Sequence, residues 1–159
     1  MRIKPVKQKN GIACGPTSIF MVVRSFSASE SKISLRKIEK ESDYKRTQGM
    51  DDIGVTNTFN KLGYSAEIVK NCSWEKLLRL NLDQNARVIV SWMKDGYKGH
   101  LSVLSKIDNK YIYLADPDIG KIIKIEKIKF MRLWMEYDGH WWPRTNQDIN
   151  LRTIIKITK

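Results

Sequence analysis

Cys14 is followed by Gly15-Pro16 and preceded, six positions earlier, by Gln8. The apolar run Ile19-Phe20-Met21-Val22-Val23, ending near Arg24, predicts a helix that starts at the cysteine. A thiol in a first helical turn faces unpaired backbone N–H groups and the positive end of the helix dipole, both of which favour thiolate. That environment makes a cysteine nucleophilic. Much later come His100, opening Leu101-Ser102-Val103-Leu104, and Asp116, in Ala115-Asp116-Pro117 at the close of Tyr111-Ile112-Tyr113-Leu114. An imidazole titrates near neutral pH and can take the thiol proton, while a carboxylate can fix its tautomer. The Gln8 amide and the backbone N–H of Cys14 together offer two donors to an oxyanion.

Each of these residues also has a plainer reading. A free cysteine is commonly a small buried apolar group. Gly15 weighs against that by letting a substrate backbone approach the sulfur, and Pro16 sits where a helix loses no hydrogen bond to proline. His140, in Asp138-Gly139-His140-Trp141-Trp142, is the rival base. His100 is preferred because it begins a strand whose hairpin partner ends in a carboxylate. Asp116 is also a natural turn residue, and both readings can hold; Asp118, further into the turn, is the weaker orienter. Gln8 alone would read as an exposed loop residue, and only its distance from Cys14 singles it out. Trp134, Trp141, Trp142 and Tyr137 read as core packing, with a groove wall as the alternative.

These side chains need elements to hold them. After the Cys14 helix, a serine-rich link over 25–34 leads to a short helix around Leu35 and Ile38. Ile53, Val55, Phe59 and Leu62 predict a third helix, capped by Asp51 and stopped by Gly63. A short strand over 65–69 and a Ser73-capped helix from Trp74 to Leu82 follow. Strands then dominate: Arg87 to Trp92, His100 to Ile107, Tyr111 to Ala115 and Lys121 to Ile125, with turns at Asp108-Asn109 and Gly120. A helix near Ile128 to Met135 and a strand near Arg152 to Ile157 complete the layout. Helices first and antiparallel strands afterwards predict an α+β fold, with a cleft between the two parts bringing cysteine and histidine together.

At 159 residues the chain is expected to form a single domain spanning 1–159. The 42% hydrophobic and 29% charged fractions are those of a globular protein. A formal net charge of +12, from 29 Lys+Arg against 17 Asp+Glu, favours acidic partners. Lys121, Lys124, Lys127 and Lys129 alternate with isoleucines and read as a solvated face. With no zinc-finger spacing, RNA-binding motif or phosphate loop, no specific nucleic acid, cofactor or metal is expected. Cys14 and Cys72 are expected to be free thiols. No signal-peptide core or apolar span is visible, so a soluble cytoplasmic protein is expected, with export by another route left open.

Gln8, the Cys14-Gly15 pair, His100 and, sixteen residues on, Ala115-Asp116-Pro117 resemble the bacteriocin-processing, double-glycine leader peptidases. These are papain-like cysteine peptidases, and the resemblance runs from Gln8 through Leu133-Trp134. It implies a papain-like two-lobe fold: a helical amino-terminal lobe carrying Cys14 and an antiparallel sheet lobe carrying His100 and Asp116. It also implies Cys14 as nucleophile forming a thioester, His100 as base, Asp116 as orienter and Gln8 as oxyanion donor. Ala13 stands where transporter-linked members commonly carry an acidic residue, and a stand-alone member without transporter domains is expected. The expected activity is that of a cysteine endopeptidase on a peptide or protein substrate. Acyl transfer or deamidation could use the same residues. A non-catalytic domain binding peptides or anionic surfaces is the other alternative, which the basic charge favours and the intact residue set opposes.

Overall fold

The computed structural model describes residues 3–26, 33–42, 44–45, 47–96, 98–137 and 143–159. Helix α1, Cys14–Phe26, begins at the cysteine, with the Ala13 carbonyl accepting from Thr17 N–H at 3.2 Å. Helix α2, Leu35–Glu41, is capped by Ser34, and α3, Asp52–Lys61, by Asp51, whose carboxylate accepts from Gly54 N–H at 2.7 Å. Each cap satisfies a backbone donor that a first turn leaves unpaired. Gly63, with φ of +83°, then turns the chain into strand β1, Ser65–Val69. Ser73 caps α4, Trp74–Leu82, in the same way.

The remaining chain is mostly sheet. Strands β2 (Ala86–Lys94), β3 (Lys98–Ile107), β4 (Tyr111–Asp116) and β5 (Lys121–Glu126) run as an antiparallel meander. After helix α5, Lys127–Leu133, a two-stranded sheet pairs β6, Met135–Tyr137, with β7, Ile149–Leu151. Finally β8, Ile154–Thr158, inserts between β1 and β2. Among the described residues the large sheet has the order β1-β8-β2-β3-β4-β5. This is the expected α+β architecture, although the small β6–β7 sheet is an addition to the sequence reading.

Side chains of successive strand residues point to opposite faces, and both faces of this sheet are covered. On one, Ile89, Leu101, Val103, Ala115, Ile155 and Ile157 pack with residues of α1, α2 and α3. On the other, Val88, Val90, Trp92, Leu104, Ile112, Leu114 and Ile154 pack with α4 and α5. Trp134, buried beside Phe130 and donating its indole N–H to the Thr153 carbonyl at 3.0 Å, belongs to this second core. Cys72 lies there too, whereas Cys14 packs against the first core, and both thiols are free. No helix among the described residues is long and apolar enough to cross a membrane.

Phe59 on α3 is fully buried and meets Tyr64 edge to face at 6.0 Å. Phe59→Ala should leave a cavity in the first core and cost about 3–5 kcal/mol, read as a lowered urea midpoint with an unchanged denaturant slope.

Candidate active site

Cys14 is the first residue of α1, so its backbone N–H has no partner within the helix. Its side chain is half-buried. One turn on, the Ser18 hydroxyl donates to the Leu101 carbonyl at 3.3 Å, a buried bond that fixes α1 against β3 beside His100. The imidazole of His100 is thereby brought next to the Cys14 sulfur, close enough for the thiol to act on the protonation of the ring.

The other side of the ring faces Asp116. Nε2 lies 3.2 Å from Asp116 Oδ1, within ion-pair reach but off the line of a well-formed hydrogen bond. With Nε2 turned to the carboxylate, Nδ1 is the nitrogen left for the sulfur. Trp92, opposite His100 in the β2–β3 register, meets the imidazole edge to face at 5.9 Å and donates its own N–H to Ser102 Oγ at 3.2 Å. Burial opposes a charged imidazolium here, but the contacts to Asp116 and Cys14 favour it and prevail, lifting the His100 pKa from 6.5 to about 9.

Asp116 serves two ends at once. Its Oδ1 accepts from the N–H groups of Asp118 and Ile119 at 2.8 and 3.2 Å, and its carbonyl accepts from Gly120 N–H at 2.8 Å. It is therefore both the organiser of the turn and the neighbour of the imidazole. Burial works against its ionised form, yet His100, Lys94 and the Ile119 N–H hold its pKa below the usual carboxylate value. Asp118 does not reach the ring in the same way; its carboxylate accepts from Lys94 Nζ at 2.7 Å.

Gln8 is buried, not the exposed residue its type suggests. Its backbone N–H donates to the Pro117 carbonyl at 2.7 Å, which ties it to the Asp116 turn. Its side-chain NH₂ donates to Asn10 O at 2.6 Å, within the loop that leads into α1, while Oε1 is buried without a partner. Gly120 makes room for this arrangement. A Cβ there would stand 2.7 Å from Lys7 Cβ and 3.0 Å from Lys7 Cα, and φ is +72°.

Cys14 at the start of α1, His100 near the start of β3 and Asp116 at the end of β4 are thus gathered at one place, with Gln8 tied to the turn that follows Asp116. The rival His140 lies outside the described residues, as do Trp141 and Trp142. Gly15 has a packing use as well: a Cβ on it would lie 2.9 Å from Met50 Cβ, so its smallness admits a neighbouring side chain. Beside the cluster, Trp92, Lys94, Ile119, Ile123, Ile125 and Leu133 line a largely apolar groove of ≈ 470 Å³.

The Peptidase C39 family profile matches residues 2–144. The chain belongs to that family. Its fold is that of C39 papain-like peptidase domains. The peptidase domain of Streptococcus ComA, a bi-functional ABC transporter involved in quorum sensing, superposes with a TM-score of 0.72 at 20% identity, over 99% of this chain and 98% of that one. A double glycine motif protease from an AMS/PCAT transporter, solved in complex with the leader peptide, gives 0.67 at 21% identity over 99% and 94%. A C39-like peptidase from Bacillus anthracis gives 0.70 at 15% identity over 99% and 94%. An uncharacterised protein of Methanothermobacter marburgensis is 25% identical over 117 residues, 74% of this chain and 73% of that one. A C39 peptidase is a cysteine peptidase, and the gathered cluster has the groups such chemistry needs. Sequence reading missed Trp92 and Lys94: a tryptophan and a lysine on a strand carry no signal of a site until the strand is placed beside the histidine.

The raised His100 pKa makes stability depend on pH. The imidazolium stabilises the fold fully below about 6.5, its ordinary value, and that contribution disappears as pH rises through about 9. Urea midpoints should therefore fall across this window, and His100→Gln should remove most of the fall.

Proposed function

We propose that this chain is a cysteine endopeptidase whose acyl-enzyme forms on Cys14. The observation that carries the reading is the His100 imidazole in contact with Cys14 on one side and Asp116 on the other. His100 holds the proton given up by Cys14 as an imidazolium, and the thiolate of this pair attacks the substrate carbonyl to form a tetrahedral intermediate. The Cys14 N–H and the second N–H of the Gln8 NH₂ group stabilise its oxyanion. The amine then leaves with the proton from His100, giving a thioester and, with water, a carboxylate product. Asp116 holds the ring and supports its charge during both transfers.

On this reading residues 1–159 act as one peptidase domain and the substrate is a peptide. The leader-peptide complex of the AMS/PCAT protease supports a segment carrying a double-glycine motif as the substrate class. The groove along Trp92, Ile119, Ile123, Ile125 and Leu133 suits apolar side chains of such a segment. The +12 charge would draw peptides bearing acidic residues.

Iodoacetamide at mildly acidic pH should modify Cys14 much faster than Cys72, which is buried and whose pKa burial raises. Equal, slow labelling of both would defeat the peptidase reading. On a double-glycine peptide, Cys14→Ala should abolish cleavage and His100→Ala should lower kcat by at least about 10²–10⁴-fold. Asp116→Asn should cost less than loss of the imidazole, because the base remains and only its orientation and charge support are weakened.

A further inference from the structure

We propose that Lys94 is a positioning residue for this site: its ammonium shares the Asp116 carboxylate with His100, held there by Asp118, and limits how firmly the carboxylate keeps a proton on the ring. The proposal rests on the peptidase reading above. Lys94 closes β2, and the turn that follows has positive φ at Asp95 and Gly96, which brings β3 back with Lys98 opposite Lys94. Its Nζ lies 3.5 Å from Asp116 Oδ2 and 2.7 Å from Asp118 Oδ2, with only 12% of the side chain exposed. Asp116 Oδ2 has no hydrogen bond, so a displaced ammonium is what faces it. The turn N–H groups and the imidazole are all on Oδ1.

One carboxylate therefore faces two cations, in surroundings dry enough for each to be felt by the other. Asp118 sets the division. It takes the short contact with Lys94 and so keeps the ammonium at arm's length from Oδ2. The charged and titratable groups around the ring come from several elements. Cys14 faces it from α1 and Asp116 from β4, Asp118 acts on it from the following turn, and Lys94 of β2 reaches it through the Asp116 carboxylate. Lys98 of β3 acts on Asp118, and Glu136 of β6 lies against Gly99, with Oε1 2.8 Å from where a Cβ would be. An imidazolium that is too stable is a poor acid toward the leaving amine, and one that is too weak fails to support the thiolate. Lys94 and Asp118 together set the balance between those limits.

The experiment is an NMR titration of the His100 imidazole in the full chain, with His140, the other histidine, removed as His140→Gln to settle the assignment. Lys94→Met removes a repelling cation and leaves both carboxylates, so the midpoint should rise from about 9 by about one unit. The same variant should speed Cys14 alkylation at one fixed, mildly acidic pH, since a steadier imidazolium supports the thiolate. Lys94→Arg keeps the charge and should restore both values. Asp118→Asn removes an anion and frees Lys94 for Asp116, so the midpoint should fall, by about half a unit. This opposite shift tests the idea even if Lys94→Met does not fold. Unmoved midpoints in these variants, with Cys14 still far more reactive than Cys72, would overturn the role of Lys94 and leave the peptidase reading standing. A rise in Lys94→Arg equal to that in Lys94→Met would overturn it as well, by showing that shape rather than charge matters. Cys14 no faster than Cys72 in the unaltered chain would instead remove the reading beneath it.

Discussion

A buried hydrogen bond from the Ser18 hydroxyl to the Leu101 carbonyl joins α1 to β3 beside the site, while at the far end of the helix Arg87 of β2 donates to Ser25 Oγ at 3.0 Å. Hydrophobic packing presses α1 onto β3 but is non-directional and would tolerate sliding. The hydroxyl bond sets the register, because moving it by one residue would strand a buried donor. Ser18 lies one turn beyond Cys14 and Leu101 is the residue after His100, so this register is also the distance between sulfur and ring. The chemistry of the site is in this sense a by-product of how one helix is indexed against one strand.

The electrostatics are built on the same economy. A fully buried carboxylate is costly unless its charge is answered, and Asp116 is answered four times, by two turn N–H groups, an imidazole and an ammonium. Each partner has another purpose: the turn N–H groups close β4 into β5, the imidazole faces the thiol and the ammonium pairs with Asp118. The carboxylate can be kept ionised away from water because the fold already needs these neighbours where they are.

Much of this was readable in advance. Asp51 and Ser73 announce their helices because a short oxygen-bearing side chain three residues before a free N–H is a local device that needs no tertiary information. The strands from Ala86 to Glu126 announce themselves by β-branched alternation, and the hairpins by their polar turns. Gln8, Cys14, His100 and Asp116 could be picked out by type and order. What escaped was whatever depends on long-range placement. Three-residue strands such as Met135–Tyr137 are too short to show a period. Lys94 reads as a solvated strand end until Asp118 is folded next to it, and Gln8 reads as exposed until Pro117 supplies a partner for its backbone. Gly15 was legible as a close approach, but the side chain that approaches, Met50, comes from a segment no local rule connects to it.

The contact of the Lys7-Gln8 segment with the turn at Pro117 to Gly120 has a mechanical side. That segment is clasped from two directions, by the Gln8 N–H to Pro117 O bond and by the bare Cα of Gly120 under Lys7, while Val6 N–H leans on Met21 of α1 at 3.3 Å. The glutamine and the aspartate therefore ride on one stiff frame. A substrate pulling on either would have to drag both, so the span between Gln8 and Asp116 stays constant.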